Sequence, residues 1–94
     1  MTDTDDATET VRAWLVERSY DDRNLITLVY ATPDGERALR RERSATVMQQ
    51  QGTRVTAAVD VAADALTPVD EAERERYADE AARMRARHDP DVEV

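Results

Sequence analysis

The chain contains no cysteine, so neither disulfides nor thiolate metal sites are available to it. Lysine is missing as well, and all 13 basic residues are arginine. Phenylalanine is absent, and the large apolar side chains include a single tryptophan, Trp14, and a single isoleucine, Ile26. Alanine makes up much of the remaining apolar share, and each buried methyl contributes only about 0.8 kcal/mol. The core is therefore thin, and small domains with thin cores gain stability from association. Two glycines, Gly35 and Gly52, are too few for a glycine-rich phosphate loop. No apolar run approaches the roughly 18 residues that a membrane-spanning helix needs. The opening MTDTDDATET lacks the basic and apolar regions of a secretory signal, so the expected location is the cytoplasm. With 94 residues the chain has room for one core and one domain.

What is abundant is negative charge. Acids number 21, which leaves a net charge of −8. Such a surplus disfavours the compact state through self-repulsion. In molar salt the Debye length falls to about 3 Å and the repulsion is largely screened. Carboxylates also hold water well where ions compete for it. An excess of acids, with arginine in place of lysine, therefore fits a salt-rich cytosol. A GC-rich genome explains the arginine and alanine but does not impose the acid surplus.

The local patterns place the elements. Residues 1–9 are acidic and aperiodic and read as disordered. TVRAWLVERSY, 10–20, alternates as a strand does, with Val11, Ala13 and Leu15 on one face and Arg12, Trp14, Val16, Arg18 and Tyr20 on the other. DDRN is a turn. LITLVYAT, 25–32, is β-branched and aromatic with apolar residues on both faces, as a central strand requires. TPDGE, 32–36, closes a hairpin with Gly35 in the left-handed conformation. A third strand follows over roughly 36–43; residues 44–51 fit a strand or a short helix ending at Gly52, and strand first, then helix, is favoured. RVTAAVDV, 54–61, reads as a half-buried strand with Val55, Ala57, Val59 and Val61 inward. AADALTPV is a connector. The final helix spans about 70–88, with Asp70 and Glu73 as a variant capping box, glutamates at its start and arginines at its end. Its stripe at helical spacing is Tyr77, Ala81 and Met84, with His88 as a further position, and DPDVEV is a frayed tail, 89–94. The expected fold is α+β: an antiparallel meander of about four strands with a C-terminal helix packed on one face, in one domain over 10–88.

Two stretches, AWLVERSYDDRNLITLVYATPDGERALRRERS and LTPVDEAERERYADEAARMRARHDPD, resemble a family of small, uncharacterised haloarchaeal proteins. The likeness covers most of residues 11–91, and its most specific parts are LVYATPDGER and the run RERYADEAARM followed by HDPD. The family has no assigned activity, so no catalytic role is implied for any residue. The resemblance implies a salt-rich cytoplasm and one small domain.

Four arginines fall between positions 37 and 43. On a strand, Arg37, Arg41 and Arg43 point the same way, and a row of guanidiniums can bind phosphate bidentately while a neighbouring aromatic stacks a base. The net charge opposes nucleic-acid binding, and molar salt removes most affinity based on counterion release. The reading favoured over it pairs those arginines with Glu71, Glu73 and Glu75 at the helix start, within the chain or across a dimer. His88 with Asp89 and Asp91 matches no metal-site spacing, and a histidine at a helix C-terminus suits the dipole. Ser19 and Ser44 sit in no nucleophile-elbow setting, and paired carboxylates carry little information in so acidic a chain. Trp14, Tyr20 and Tyr30 are the aromatic candidates. Either Trp14, Val16 and Tyr20 share an open face, which would mark an interaction site, or Trp14 packs under the helix.

These readings lead to a non-enzymatic protein-interaction module, homodimeric, in a halophile's cytoplasm, with no metal or cofactor and no membrane partner. Its candidate binding residues are Arg37, Arg41, Arg43, Trp14, Tyr20 and Tyr30. The alternative is a nucleotide- or RNA-binding protein that uses the arginine-rich strand.

Overall fold

The computed structural model describes residues 9–52 and 54–94. Of the stretch expected to be disordered, residues 1–8 lie outside that range. Along the described chain run β1 (Thr10–Tyr20), β2 (Leu25–Ala31), β3 (Arg37–Ser44), α1 (Ala45–Gln51), β4 (Ala58–Ala62), a short 3-10 turn (Ala63–Ala65), β5 (Thr67–Pro68) and α2 (Glu71–Arg87). The strands form one antiparallel sheet in the order β4-β1-β2-β3-β5. The class is α+β, with α2 across one face. No helix among the described residues is long and apolar enough to cross a membrane.

The hairpins follow their turn chemistry. Asp21 accepts main-chain N–H bonds from Arg23 and Leu25, and Asn24 takes the left-handed conformation at φ 68° to close β1 onto β2. Between β2 and β3, the Thr32 carbonyl accepts from Gly35 N at 2.8 Å, and Gly35 lies at φ 73°. The helix that follows β3 is also local in origin. The Ser44 hydroxyl accepts from Val47 N, and Gly52 closes α1 in the left-handed conformation. Ser44 thus ends the strand and caps the helix. At α2, Asp70 is the N-cap residue but its side chain makes no capping bond, so the expected capping box does not form.

Three features differ from the expected meander. A fifth strand, Thr67–Pro68, lies in what reads as a connector, and it pairs with Arg37 and Ala38. The fourth strand starts at Ala58, while residues 55–57 take the chain's last residues as a neighbour. There Val94 N donates to the Val55 carbonyl and Ala57 N donates to the Val92 carbonyl. Residues 89–94, read as a frayed tail, are thus drawn against the sheet.

The third difference is a bulge in β1. Trp14 pairs with Ala31 and Leu15 with Tyr30, but Glu17 pairs with Val29, so Val16 is extra. An inserted residue shifts the inside–outside alternation by one position. Beyond it, Arg18 pairs with Leu28 and Tyr20 with Ile26. Trp14 and Tyr20, which strict alternation puts on one face, are therefore on opposite faces. Trp14 is 5 % exposed and packs with Val29, Ala31, Ala81, Tyr77 and Met84 beneath α2. Of the two placements the sequence leaves open for Trp14, the structure takes the one under the helix. A second cluster on the other face joins Ala13, Leu15, Leu28 and Tyr30, with Ile26 and Val59 at its border. Met84 and Val94 touch both clusters. Leu28, Val29, Tyr30 and Ala31 are all buried, as a central strand covered on both faces requires.

Candidate arginine face

The arginine-rich segment divides between the two faces of β3. The register sets Arg43 beside Ile26, Arg41 beside Leu28 and Leu39 beside Tyr30, so these residues look away from α2. Arg40 and Glu42 alternate with them, beside Val29 and Thr27 on the α2 side, and their charged groups lie 3.7 Å apart. The expected pairing of Arg37, Arg41 and Arg43 with Glu71, Glu73 and Glu75 is not made within the chain, because α2 covers the opposite face. Glu73 pairs instead with Arg76 on its own helix, and Arg76 also reaches Glu17 of β1 at 3.2 Å. The Arg76 guanidinium stacks over Tyr77 with 4.9 Å to the ring centre. Hydrogen bonds to Glu73 and then Glu17 raise the Arg76 pKa and hold its charge firmly.

The arginines on the face away from α2 converge on Tyr30. Tyr30 is 3 % exposed, and the Arg41 guanidinium stands 5.7 Å from its ring centre. Burial raises the Tyr30 pKa, while the positive charges of Arg41, Arg18 and Arg43 oppose that rise. Arg18 comes to this face through the bulge, and its guanidinium also donates to the Val94 main-chain oxygen at 3.0 Å. Tyr20 lies on the same face at its end, 64 % exposed, with its hydroxyl bonded to Asn24 Oδ1. Among the described residues, no side-chain carboxylate lies within 4.0 Å of Arg41 or Arg43, and the oxygen nearest Arg18 is that of Val94. The guanidiniums thus lie over a buried apolar cluster of Ala13, Leu15, Leu28 and Tyr30.

The candidate residues therefore separate. Arg41, Arg43, Tyr30 and Tyr20 share one face. Arg37 is at the far end of β3, where its charge helps the Thr32 hydroxyl and the Glu36 amide hold the Asp34 carboxyl below its usual range. Trp14 belongs to the core under α2. Arg18 is the residue that sequence reasoning missed, since strict alternation puts it beside Trp14. The bulge responsible has no glycine or proline to mark it. Around His88, Asp89 and Asp91 there is no metal cluster: among the described residues no group of three or more such side chains could hold an ion.

The guanidiniums of this face can bind carboxylates or phosphates. In comparisons with known proteins, the model of DUF7967, described as a family of unknown function, matches residues 7–94. No curated protein and no solved structure gives a match.

Proposed function

The chain belongs to DUF7967, a family of unknown function, and from that premise we propose that it is a non-enzymatic protein-interaction module, homodimeric, working in the salt-rich cytoplasm of a halophile. One observation carries the interaction reading. In a chain of net charge −8, Arg18, Arg41 and Arg43 gather on one sheet face, and among the described residues no side-chain carboxylate lies within 4.0 Å of Arg41 or Arg43. Guanidiniums placed that way, around a buried tyrosine, suit the carboxylates of an acidic protein surface. Forked arginine–carboxylate bonds keep part of their strength in high salt, where simple charge attraction fades.

A titration of the full chain with a glutamate-rich peptide in about 2 M KCl, followed by NMR, tests the reading. Side-chain Nε–H signals of Arg18, Arg41 and Arg43 should move together with the amides of Leu28 and Tyr30. Movement elsewhere on the molecule, or none, removes the assignment of this face. The second reading, a nucleotide- or RNA-binding face, is favoured by the arginine stacked over Tyr30. It survives only if a nucleotide moves the same signals more strongly than the peptide does.

A further inference from the structure

The outer edge of β3 is a self-complementary strand, and from its register we infer that two copies of this chain join there, antiparallel, about a twofold axis through Arg41. The inference rests on the proposed homodimer and names its surface.

The neighbours of β3 limit where a second strand can dock. β5 covers only Arg37 and Ala38, and Ser44 is already committed as the N-cap of α1. Among the described residues, the stretch Leu39–Arg43 has no strand on its outer side. Arg41 is the midpoint of that window. The direction of the main-chain groups is fixed by what they already bond. The Arg37 carbonyl accepts from Thr32 N, on the β2 side. The Glu36 carbonyl accepts from Val69 N, and the Ala38 carbonyl from the Thr67 hydroxyl, on the outer side. Alternation along the strand then turns the N–H and C=O of Arg40 and of Glu42 outward.

A twofold through Arg41 sets Arg40 opposite Glu42 of the second copy, and Glu42 opposite Arg40 of the second copy. These are the residues whose main-chain groups point outward, so each such pair closes both of its hydrogen bonds. It also sets opposite charges face to face on the α2 side of the sheet, twice. Opposite charges directly across an antiparallel pair stabilise it, and like charges destabilise it. Both side chains are accessible, at 68 % for Arg40 and 56 % for Glu42. A shift of the axis to Arg40 or to Glu42 loses the double Arg40–Glu42 pairing. With the axis at Arg41, Leu39 meets the stem of Arg43 from the second copy. The two Arg41 side chains meet on the axis, but each leans over its own Tyr30. Edge strands left open invite such pairing unless a fold blunts them. The joined sheet would make one continuous arginine face from two.

Sedimentation equilibrium of the full chain tests this, at up to about 1 mM chain and in about 0.5 M KCl. Wild type should dimerise reversibly. Arg40→Glu and Glu42→Arg should each lower the association constant by about tenfold or more, because both symmetric pairs become repulsive at once. An equimolar mixture of the two variants should recover association. One variant then carries acids at both positions and the other carries bases at both, so every cross-strand pair joins opposite charges. The mixture also shows that both variants are folded. A wild-type monomer at every concentration overturns both the homodimer and this edge. A dimer indifferent to either reversal, or a mixture that stays monomeric, overturns the β3 edge alone and leaves self-association standing.

Discussion

Gly35, at the tip of the β2–β3 hairpin, abuts Arg74 in the first turns of α2: a Cβ on residue 35 would lie 2.2 Å from the Arg74 main-chain oxygen. It would also lie 2.8 Å from the Ala78 main-chain nitrogen. These are main-chain atoms, so neither can swing aside. The hairpin is thus the contact that sets how near α2 approaches the sheet above Trp14. The glycine also sits at φ 73°, where a Cβ is strained whatever the space around it.

Gly35→Ala is therefore expected to destabilise the fold by about 3 kcal/mol or more, from left-handed strain of roughly 1 kcal/mol plus the displacement of a packed helix. Gly52→Ala is the control. Gly52 has a similar left-handed φ but nothing within 4 Å of its would-be Cβ, so only the strain of about 1 kcal/mol should appear. Urea unfolding of both variants measures the difference. Equal losses would show that the hairpin does not press on α2.

The bulge at Val16 makes a second contrast. Trp14→Ala should cost about 3–5 kcal/mol, because the indole fills the space between the sheet and α2. Tyr20→Ala, on the other face and largely exposed, should change stability by no more than about 0.5 kcal/mol. Thermal or urea unfolding of the two variants decides it. Comparable losses would mean that β1 alternates without interruption and that the two aromatics share a face.

That bulge also marks the limit of what the residues reveal. The long runs are legible. LITLVYA is apolar on both faces and forms the central strand. TPDG carries its own turn, and the Tyr77–Ala81–Met84 spacing does find the sheet. The short helix after Ser44 is legible as one of two choices, because Gly52 ends it. Pairing at β5 is not legible, since two residues carry no period, and Val69 is held there by a bond to Glu36 that only the fold creates. The candidate face is half legible for a related reason. The spacing of Arg41 and Arg43 puts them together on β3. Their meeting with Arg18 depends on one inserted residue in a different strand, and their separation from the glutamates of α2 depends on which face that helix covers.

Tyr30 offers a titration that reads the arginine face directly. Burial raises its pKa above the usual 10.0, and Arg41 is the largest opposing influence. The phenol is neutral in the folded protein at neutral pH. A group whose folded pKa is raised contributes stability that is complete below the unfolded pKa and is lost as pH rises through the folded one. Stability should therefore hold up to about pH 10 and fall beyond it, with Tyr30 as one contributor. Arg41→Ala removes a charge that favours the phenolate, so the Tyr30 phenol should titrate higher still. NMR of the Tyr30 ring signals against pH follows this. A downward shift in the variant would place Arg41 elsewhere than over the ring.

The last expectation concerns salt, and here opposing terms must be weighed. The ion pairs among described residues are exposed: Arg12–Asp60, for example, is about half accessible on both sides, and such pairs are worth little. Salt weakens them by a small amount. The long-range repulsion of a net charge of −8 is spread over the whole surface and acts in the other direction. At about 0.1 M the Debye length is near 10 Å, shorter than the molecule but long enough for neighbouring carboxylates to repel; near 2 M only contact pairs survive. Apolar burial, which holds Trp14 and Tyr30, is also strengthened as salt raises the cost of hydrating apolar surface. Two of the three terms favour the fold in brine, and the third is minor. The melting temperature should therefore rise markedly between about 0.1 M and 2 M KCl, followed by circular dichroism. A melting temperature that stays level or falls across that range would show that surface ion pairs outweigh self-repulsion, and the case for a salt-adapted chain would go with it.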